Sequence, residues 1–321
     1  MLNETRWWWP VCLATELGAE PQGVRLLDQP LVLWRDAQGQ PVAMVDRCPH
    51  RGAQLSMGRV VGGHLQCPYH GWRFEPAGRC VGIPAQPGFT PPASSGVCRY
   101  PAAEHEGLIW VSLADPSTDV HLLPGLNHLP QRRLIYGPFD VATSAPRAVE
   151  NFLDTSHFAF VHEGWLGAAD HPEVPPYEVT HTADGRPVIK AYKAWQPRAS
   201  AAAAGGDWVT YRYEVLSPYS ALLSKQGDAG GPQDSYTIWA CPTTPDSCRL
   251  WFAQYTTDAV SSDDVLRDFQ VEIFSQDQPV LESQQPKRLP LSGGEAHSAA
   301  DRLSAAYRRY LQGCGITFGV C

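Results

Sequence analysis

The chain has 321 residues, of which 43% are apolar and 18% charged, and a formal net charge of −8. That length suggests about two domains, each able to bury a sizeable core. The acidic balance argues against a nucleic-acid partner, and no apolar run approaches the ~20 residues that span a bilayer, so no membrane partner is expected.

In chain order, residues 1–10 carry acid, arginine and proline where a secretion signal would be apolar. Residues 1–115 read as β-rich. Segments 31–35 and 42–45 flank the turn Asp36-Ala-Gln-Gly39, a hairpin signal, and 108–113 is another strand. Between these strands lie Cys48-Pro-His50 and Cys67-Pro-Tyr-His70, two loops that each offer one thiolate and one imidazole. Pro49 and Pro68 sit inside them and Gly52 and Gly71 follow, residue types that suit tight turns. Iron–sulfur clusters are usually held by four thiolates; two histidines on one iron give a Rieske [2Fe–2S] centre. Structural zinc is the competing reading, but its usual pattern pairs cysteines across two-to-four-residue gaps. The other cysteines (Cys12, Cys80, Cys98, Cys241, Cys248, Cys314, Cys321) follow no disulfide or metal spacing, which fits a reducing cytoplasm.

Residues 115–137 are rich in proline and leucine and read as a connector. Residues 146–160 are a helix candidate. Strands are expected at 208–215, 235–241 and 249–257; in the first, Val209, Tyr211, Tyr213 and Val215 share one face. Residues 200–206 read as a loop, 262–285 as a capped helix and 297–312 as a final helix. The expected division is therefore 1–115, a connector over 116–140, and 141–321.

The helix candidate carries Asn151, Asp154 and His157, and His162 follows just beyond it. Five positions place the two histidines roughly 140° apart on a continuous helix, so both face one metal only if the helix breaks or distorts between them. Asp154 lies one turn before His157. Alone, such histidines equally well cap, pack or face solvent. Following the two Cys/His loops, however, Asn151-x-x-Asp154-x-x-His157-x-x-x-x-His162 resembles the Rieske non-haem iron oxygenases, in the vanillate O-demethylase and dicamba monooxygenase-like subgroup. The opening Arg6-Trp-Trp-Trp-Pro-Val11 and the tail from His297 resemble that subgroup as well.

The resemblance implies an α+β protein: an all-β Rieske domain followed by a helix-grip catalytic domain. It implies that Cys48, His50, Cys67 and His70 hold the cluster, and that His157, His162 and a later carboxylate form a facial triad on Fe(II). Three positions then stay open for water, O₂ and substrate. Asp277 matches the third ligand; Glu272, Asp268 and Glu282 are the alternatives. Ala53 and Tyr69 stand where high-potential Rieske proteins carry a disulfide, and Trp72 where they carry a serine, which implies a lower potential.

The implied activity is monooxygenation, by hydroxylation or O-/N-demethylation, of a small organic, cyclic or aromatic substrate. Cis-dihydroxylation is the alternative within enzymes, and a non-catalytic electron carrier or redox sensor the alternative outside them. One O₂ needs more electrons than one cluster holds, so a flavin or ferredoxin-type reductase must feed it from NAD(P)H. The implied path runs from His70 through Asp154 to His157 of the adjacent protomer in a head-to-tail homotrimer. Asp154 would be a hydrogen-bonding bridge, and Asn151 matches a family position near the iron. Arg47, Arg51, Arg73 and Arg79 form either a basic dock for the reductase or internal salt bridges. Tyr211, Tyr213, Tyr219, Trp239, Trp251 and Tyr255 either line an aromatic pocket or pack the core.

Overall fold

Alternating strand patterns in the first third of the chain fold into three small antiparallel sheets in the computed structural model, which describes residues 2–120, 126, 128–130, 132–203 and 205–321. The chain forms two units, 1–123 and 124–321. Part of the segment read as a connector, residues 121–125, 127 and 131, lies outside the described residues.

The first unit holds β1 (Trp9–Leu13), β2 (Gln22–Leu26), β3 (Gln29–Arg35), β4 (Pro41–Val45), β5 (Arg59–Val61), β6 (His64–Gln66), β7 (Arg73–Phe74), β8 (Cys80–Gly82), β9 (Arg99–Tyr100), β10 (Ala102–His105) and β11 (Leu108–Val111). They form sheets β1-β11-β10, β2-β3-β4-β9 and β5-β6-β7-β8. The expected hairpin is β3–β4, with Leu31 opposite Val45 and Arg35 opposite Pro41. Its turn forms because Asp36 Oδ1 accepts from the backbone N–H groups of Gln38 and Gln40, each at 2.9 Å. One cysteine loop follows β4 and the other joins β6 to β7. Trp34, Met44, Leu55, Leu65 and Phe74, all fully buried, pack around Cys48 and Cys67.

The second unit is a seven-stranded antiparallel sheet in the order β12-β18-β17-β16-β15-β14-β13 with few helices. Its elements are β12 (Arg132–Val141), α1 (Ala145–Leu153), α2 (Phe158–Val161), β13 (Val179–His181), β14 (Pro187–Gln196), β15 (Asp207–Ser217), β16 (Ser220–Gly227), β17 (Asp234–Thr244), β18 (Ser247–Thr256), α3 (Asp263–Ser283) and α4 (Arg302–Gly313). Part of the stretch read as a connector thus forms the edge strand β12. In β15, Val209, Tyr211, Tyr213 and Val215 are buried and Trp208 and Arg212 exposed, as the period-two pattern requires.

The helix expected over 146–160 is broken. It ends at Leu153, and Asp154 adopts an extended conformation with φ −73° and ψ 137°. Asp154 Oδ1 then accepts from the Ser156 N–H at 3.0 Å and from its hydroxyl at 2.6 Å, an Asx turn that competes with the helix ladder. One turn, α2, follows. Gly167 lies so close behind it that a Cβ there would meet the Phe158 carbonyl carbon at 2.2 Å.

Helix α3 begins at Ser262, whose hydroxyl accepts from the Val265 N–H, with Asp263 and Asp264 in the first turn. Its buried face is Leu266, Phe269, Ile273, Phe274, Asp277 and Leu281. One carboxylate sits in an otherwise apolar stripe. Helix α1 packs against β16–β18, α3 and α4. Arg308 of α4 fastens it, donating to Glu150 at 2.6 and 2.8 Å and to Glu295 at 2.5 Å. Among the described residues, no helix is long and apolar enough to cross a membrane.

Candidate metal centres

The two cysteine loops repeat one turn. In the first, the Cys48 N–H donates to Ala53 O at 2.8 Å and the Gly52 N–H to Cys48 O at 2.9 Å. In the second, the Cys67 N–H donates to Trp72 O at 2.9 Å and the Gly71 N–H to Cys67 O at 3.1 Å. Gly52 and Gly71 close the turns at φ 75° and 69°, where a side chain is strained. Cys48 and Cys67 are buried, the His50 ring is half-buried and the His70 ring exposed. The imidazoles of His50 and His70 meet edge to face at 4.5 Å, and Trp72 stacks flat on His50 at 4.7 Å.

Two observations suit this set to a cluster. His50 Nδ1 is buried and has no hydrogen-bond partner among the described residues, an acceptor nitrogen aimed at nothing in the protein. Burial pushes the Cys48 thiol up to about 11, with Cys67 as its neighbour, so a bound metal must displace the proton.

The second unit brings together three ligands, two from the ends of α2 and one from α3. His157 Nε2 lies 3.2 Å from His162 Nε2 and 3.5 Å from Asp277 Oδ1, and His162 Nε2 lies 3.3 Å from Asp277 Oδ1. Bonds of about 2.1 Å at right angles would place neighbouring donors about 3.0 Å apart, close to this triangle. The other ring nitrogens are committed elsewhere. His157 Nδ1 faces Asp154 Oδ2 at 3.2 Å and His162 Nδ1 faces Gln276 Oε1 at 2.8 Å. With both Nδ1 atoms donating, two imidazole lone pairs and a carboxylate oxygen converge on one point. Such a set of acceptors in mutual contact suits a bound cation.

The surrounding carboxylates favour a positive charge at this point, carried by a metal ion or by a proton on His157. Burial would raise the Asp154 carboxyl, yet the hydrogen bond and charge of His157 and two bonds from Ser156 pull it down to about 2. Burial opposes protonation of His157, but Asp154 and Asp277 outweigh it and raise its pKa above the ordinary value.

Asn151 donates to Asp277 Oδ1 at 3.3 Å, which aims the carboxylate. Among the alternative acids, Glu272 is exposed and accepts from Gln276 Nε2 at 3.1 Å, Asp268 is exposed, and Glu282 accepts from the Ala142 N–H and from Gln278. Gln276 was not singled out from the sequence. Its position beside Asp277 is the one available signal, and only the fold shows which histidine it faces.

A cavity of about 80 Å³ opens beside the triangle, walled mainly by aromatic and aliphatic side chains, among them Phe152, Phe158, Tyr236, Phe252 and Phe274. Of the six aromatics considered from the sequence, Tyr211 lines it. Tyr213, Tyr219, Trp239, Trp251 and Tyr255 are buried in the sheet core. Around the cysteine loops, Arg79 pairs internally with Glu75 at 2.9 Å. Arg47, Arg51 and Arg73 are exposed and make no ion pair among the described residues.

Residues 7–101 match the Rieske [2Fe-2S] domain, and residues 141–315 match the vanillate O-demethylase oxygenase C-terminal domain. The methylxanthine N1-demethylase NdmA of Pseudomonas putida is 34% identical over 95% of this chain and 87% of its own length. The oxygenase component of dicamba O-demethylase from Stenotrophomonas maltophilia is 40% identical over 48% of this chain and 46% of its own. The structure of NdmA with caffeine superimposes with a TM-score of 0.82 at 30% identity, covering 97% of this chain and 90% of that one.

Proposed function

Because the chain belongs to the Rieske non-haem iron oxygenases, in the branch whose catalytic domain is of the vanillate O-demethylase type, we propose that it removes a methyl group from oxygen or nitrogen of a small cyclic substrate. Hydroxylation of that methyl carbon gives a hemiacetal or carbinolamine, which sheds formaldehyde. The balance is one O₂, two electrons and two protons in; formaldehyde, water and the demethylated product out. Relatives named as N- and O-demethylases support that chemistry.

The observation that carries the reading is the convergence of His157, His162 and Asp277 within 3.2–3.5 Å beside an aromatic-walled cavity. We read these three as the iron ligands and Cys48, His50, Cys67 and His70 as the cluster ligands. When bound, the cluster supplies single electrons drawn from a reductase, and the iron activates oxygen. The protein's part is positional. Asp154 and Gln276 hold the Nδ1 hydrogens of the two histidines, so that each ring presents Nε2 to the centre. Asn151 holds the Asp277 carboxylate, and the aromatic walls exclude water and seat the substrate ring.

Asp154 is also the bridge in this reading, receiving an electron path from His70 of a second copy in a head-to-tail homotrimer. Its contact with His157 and the exposed His70 ring support it. Asp154→Asn should keep both metal contents and abolish turnover; full activity would sink the bridge. For the reaction, a substrate panel is followed for formaldehyde release against NAD(P)H and O₂ consumed. Two labelled oxygen atoms in a ring product, with no formaldehyde, would replace demethylation by dihydroxylation.

A further inference from the structure

The turn that follows His162, Glu163-Gly-Trp-Leu-Gly167, hangs directly on that histidine. The His162 carbonyl accepts from the Trp165 N–H at 2.9 Å and from the Gly167 N–H at 3.2 Å. Gly164 and Gly167 give the turn little stiffness of its own, so its place depends on what pins it. On one side it is pinned by hydrogen bonds from the end of β14. Gln196, fully buried, donates to Leu166 O at 3.0 Å, and the Arg198 backbone N–H donates to Trp165 O at 2.9 Å. The other side faces α3, and among the described residues no hydrogen bond joins 163–167 to that helix. Rings and a guanidinium make the connection. Trp165 meets Phe269 of α3 edge to face at 5.5 Å. The part-buried Arg198 guanidinium lies 4.9 Å from the Trp165 ring centroid and 5.4 Å from that of Phe269. Among the described residues it makes no ion pair or hydrogen bond. Leu166, Phe269 and Ile273 also cluster with Trp165, but apolar contact is non-directional, whereas a flat cation against two rings sets their mutual position.

We infer that Arg198 is a positioning residue for the metal-facing triangle: by clasping Trp165 and Phe269 it holds the turn behind His162 against α3 and keeps His162 Nδ1 on Gln276. This rests on reading the triangle as the iron ligands. The contacts close a circuit. One arm runs from Arg198 through Trp165 to the His162 carbonyl. The other runs through Phe269 and about two turns along α3 to Gln276. The arms meet at the 2.8 Å contact between His162 Nδ1 and Gln276 Oε1. Arg198 belongs to neither ligand-bearing element, so it ties both to the end of β14.

The test is a double-mutant cycle on Fe(II) affinity, titrated anaerobically into the cluster-loaded full chain. Arg198→Met should weaken Fe(II) binding by about threefold to tenfold, less than the loss of a direct histidine partner, with cluster content unchanged. Arg198→Lys should recover part of that loss, because the charge stays while the flat double stack does not. The double variant Arg198→Met with Gln276→Leu separates positioning from general loosening. If Arg198 acts through the Gln276 contact, the double variant binds Fe(II) no more weakly than Gln276→Leu alone; independent losses would multiply. Unchanged affinity in either single variant, no recovery in Arg198→Lys, or multiplied losses in the double variant overturns the inference. If Arg198→Met does not fold, Trp165→Leu opens the same clasp from the other side and takes its place in the cycle. A wild type that binds no iron beyond the cluster sinks the reading of the triangle, and the inference with it. A wild type that binds that iron, with Arg198→Met no weaker, sinks the inference alone.

Discussion

The two metal-facing regions are built on opposite plans. The cysteine loops draw all four candidate ligands from residues 48–70, and what positions them is backbone: two copies of one turn, each closed by a glycine at positive φ. The histidine–aspartate triangle draws its third member from more than a hundred residues downstream, and what positions it is side chains: Asp154, Gln276 and Asn151. A backbone-held site should fail when the chain path is strained. A side-chain-held site should fail by degrees, as each supporting group is removed.

The largest separation between the two comes from removing one member of the triangle. Asp277→Ala should lower iron from about three to about two atoms per chain, with the visible spectrum of the cluster intact and turnover lost, since two neutral imidazoles hold Fe(II) poorly without the carboxylate. Three irons in that variant would take Asp277 out of the ligand set. Next in size is Gln276→Leu, which frees His162 Nδ1 from its 2.8 Å partner. Loss of such a supporting group typically weakens metal binding by about 10–100-fold. Fe(II) titration of the cluster-loaded protein reads that directly. An unchanged affinity would mean that the turn around α2 alone orients His162.

How much of this could be read from the chain follows the same divide. Cys48-x-His50 and Cys67-x-x-His70 are local, so the sequence displays both pairs whole, and the hairpin beside them is announced by Asp36 and Gly39. The spacing of His157 and His162 called for a break or distortion between them; the chain instead breaks before both, at the Asx turn of Asp154, and keeps the single helical turn α2 between them. Asp277 had a physical signal beyond resemblance: it occupies the buried stripe of Leu266, Phe269, Ile273 and Leu281, where Asp268 and Glu272 do not. Strand β16 escaped because Ser220–Gly227 is buried at one end and has no period-two alternation, its neighbours covering both faces there. Gln276 had only its place beside Asp277 to mark it, because a glutamine on a helix is an ordinary surface residue until the fold sets it against His162.

The backbone-held region has its own graded test. At Gly71 a Cβ would sit 3.0 Å from Pro84 Cγ and 3.2 Å from Gln66 Nε2, whereas at Gly52 its nearest neighbour is the flexible Arg47 Nε at 3.5 Å. Both alanine variants incur the positive-φ penalty of roughly 1–2 kcal/mol. Gly71→Ala should therefore lose more stability and more cluster than Gly52→Ala, in thermal unfolding and in iron and sulfide content. Equal losses would show that crowding at Pro84 is relieved by movement and that φ alone decides.

The smallest effect concerns how the electron arrives. Arg47, Arg51 and Arg73 stand exposed around the cysteine loops, without ion pairs among the described residues, on a chain whose net charge is −8, while Arg79 is engaged by Glu75. Exposed charges of this kind change encounter rates more than they change affinity, and their field fades beyond about 8 Å at physiological salt. Reversing Arg51 to glutamate should slow cluster reduction by an acidic reductase several-fold at low ionic strength, and the difference should vanish as salt rises. Arg79→Glu should do less, because Glu75 already neutralises that position. Equal slowing by the two variants would mean that net charge, not the placement of these arginines, guides the partner.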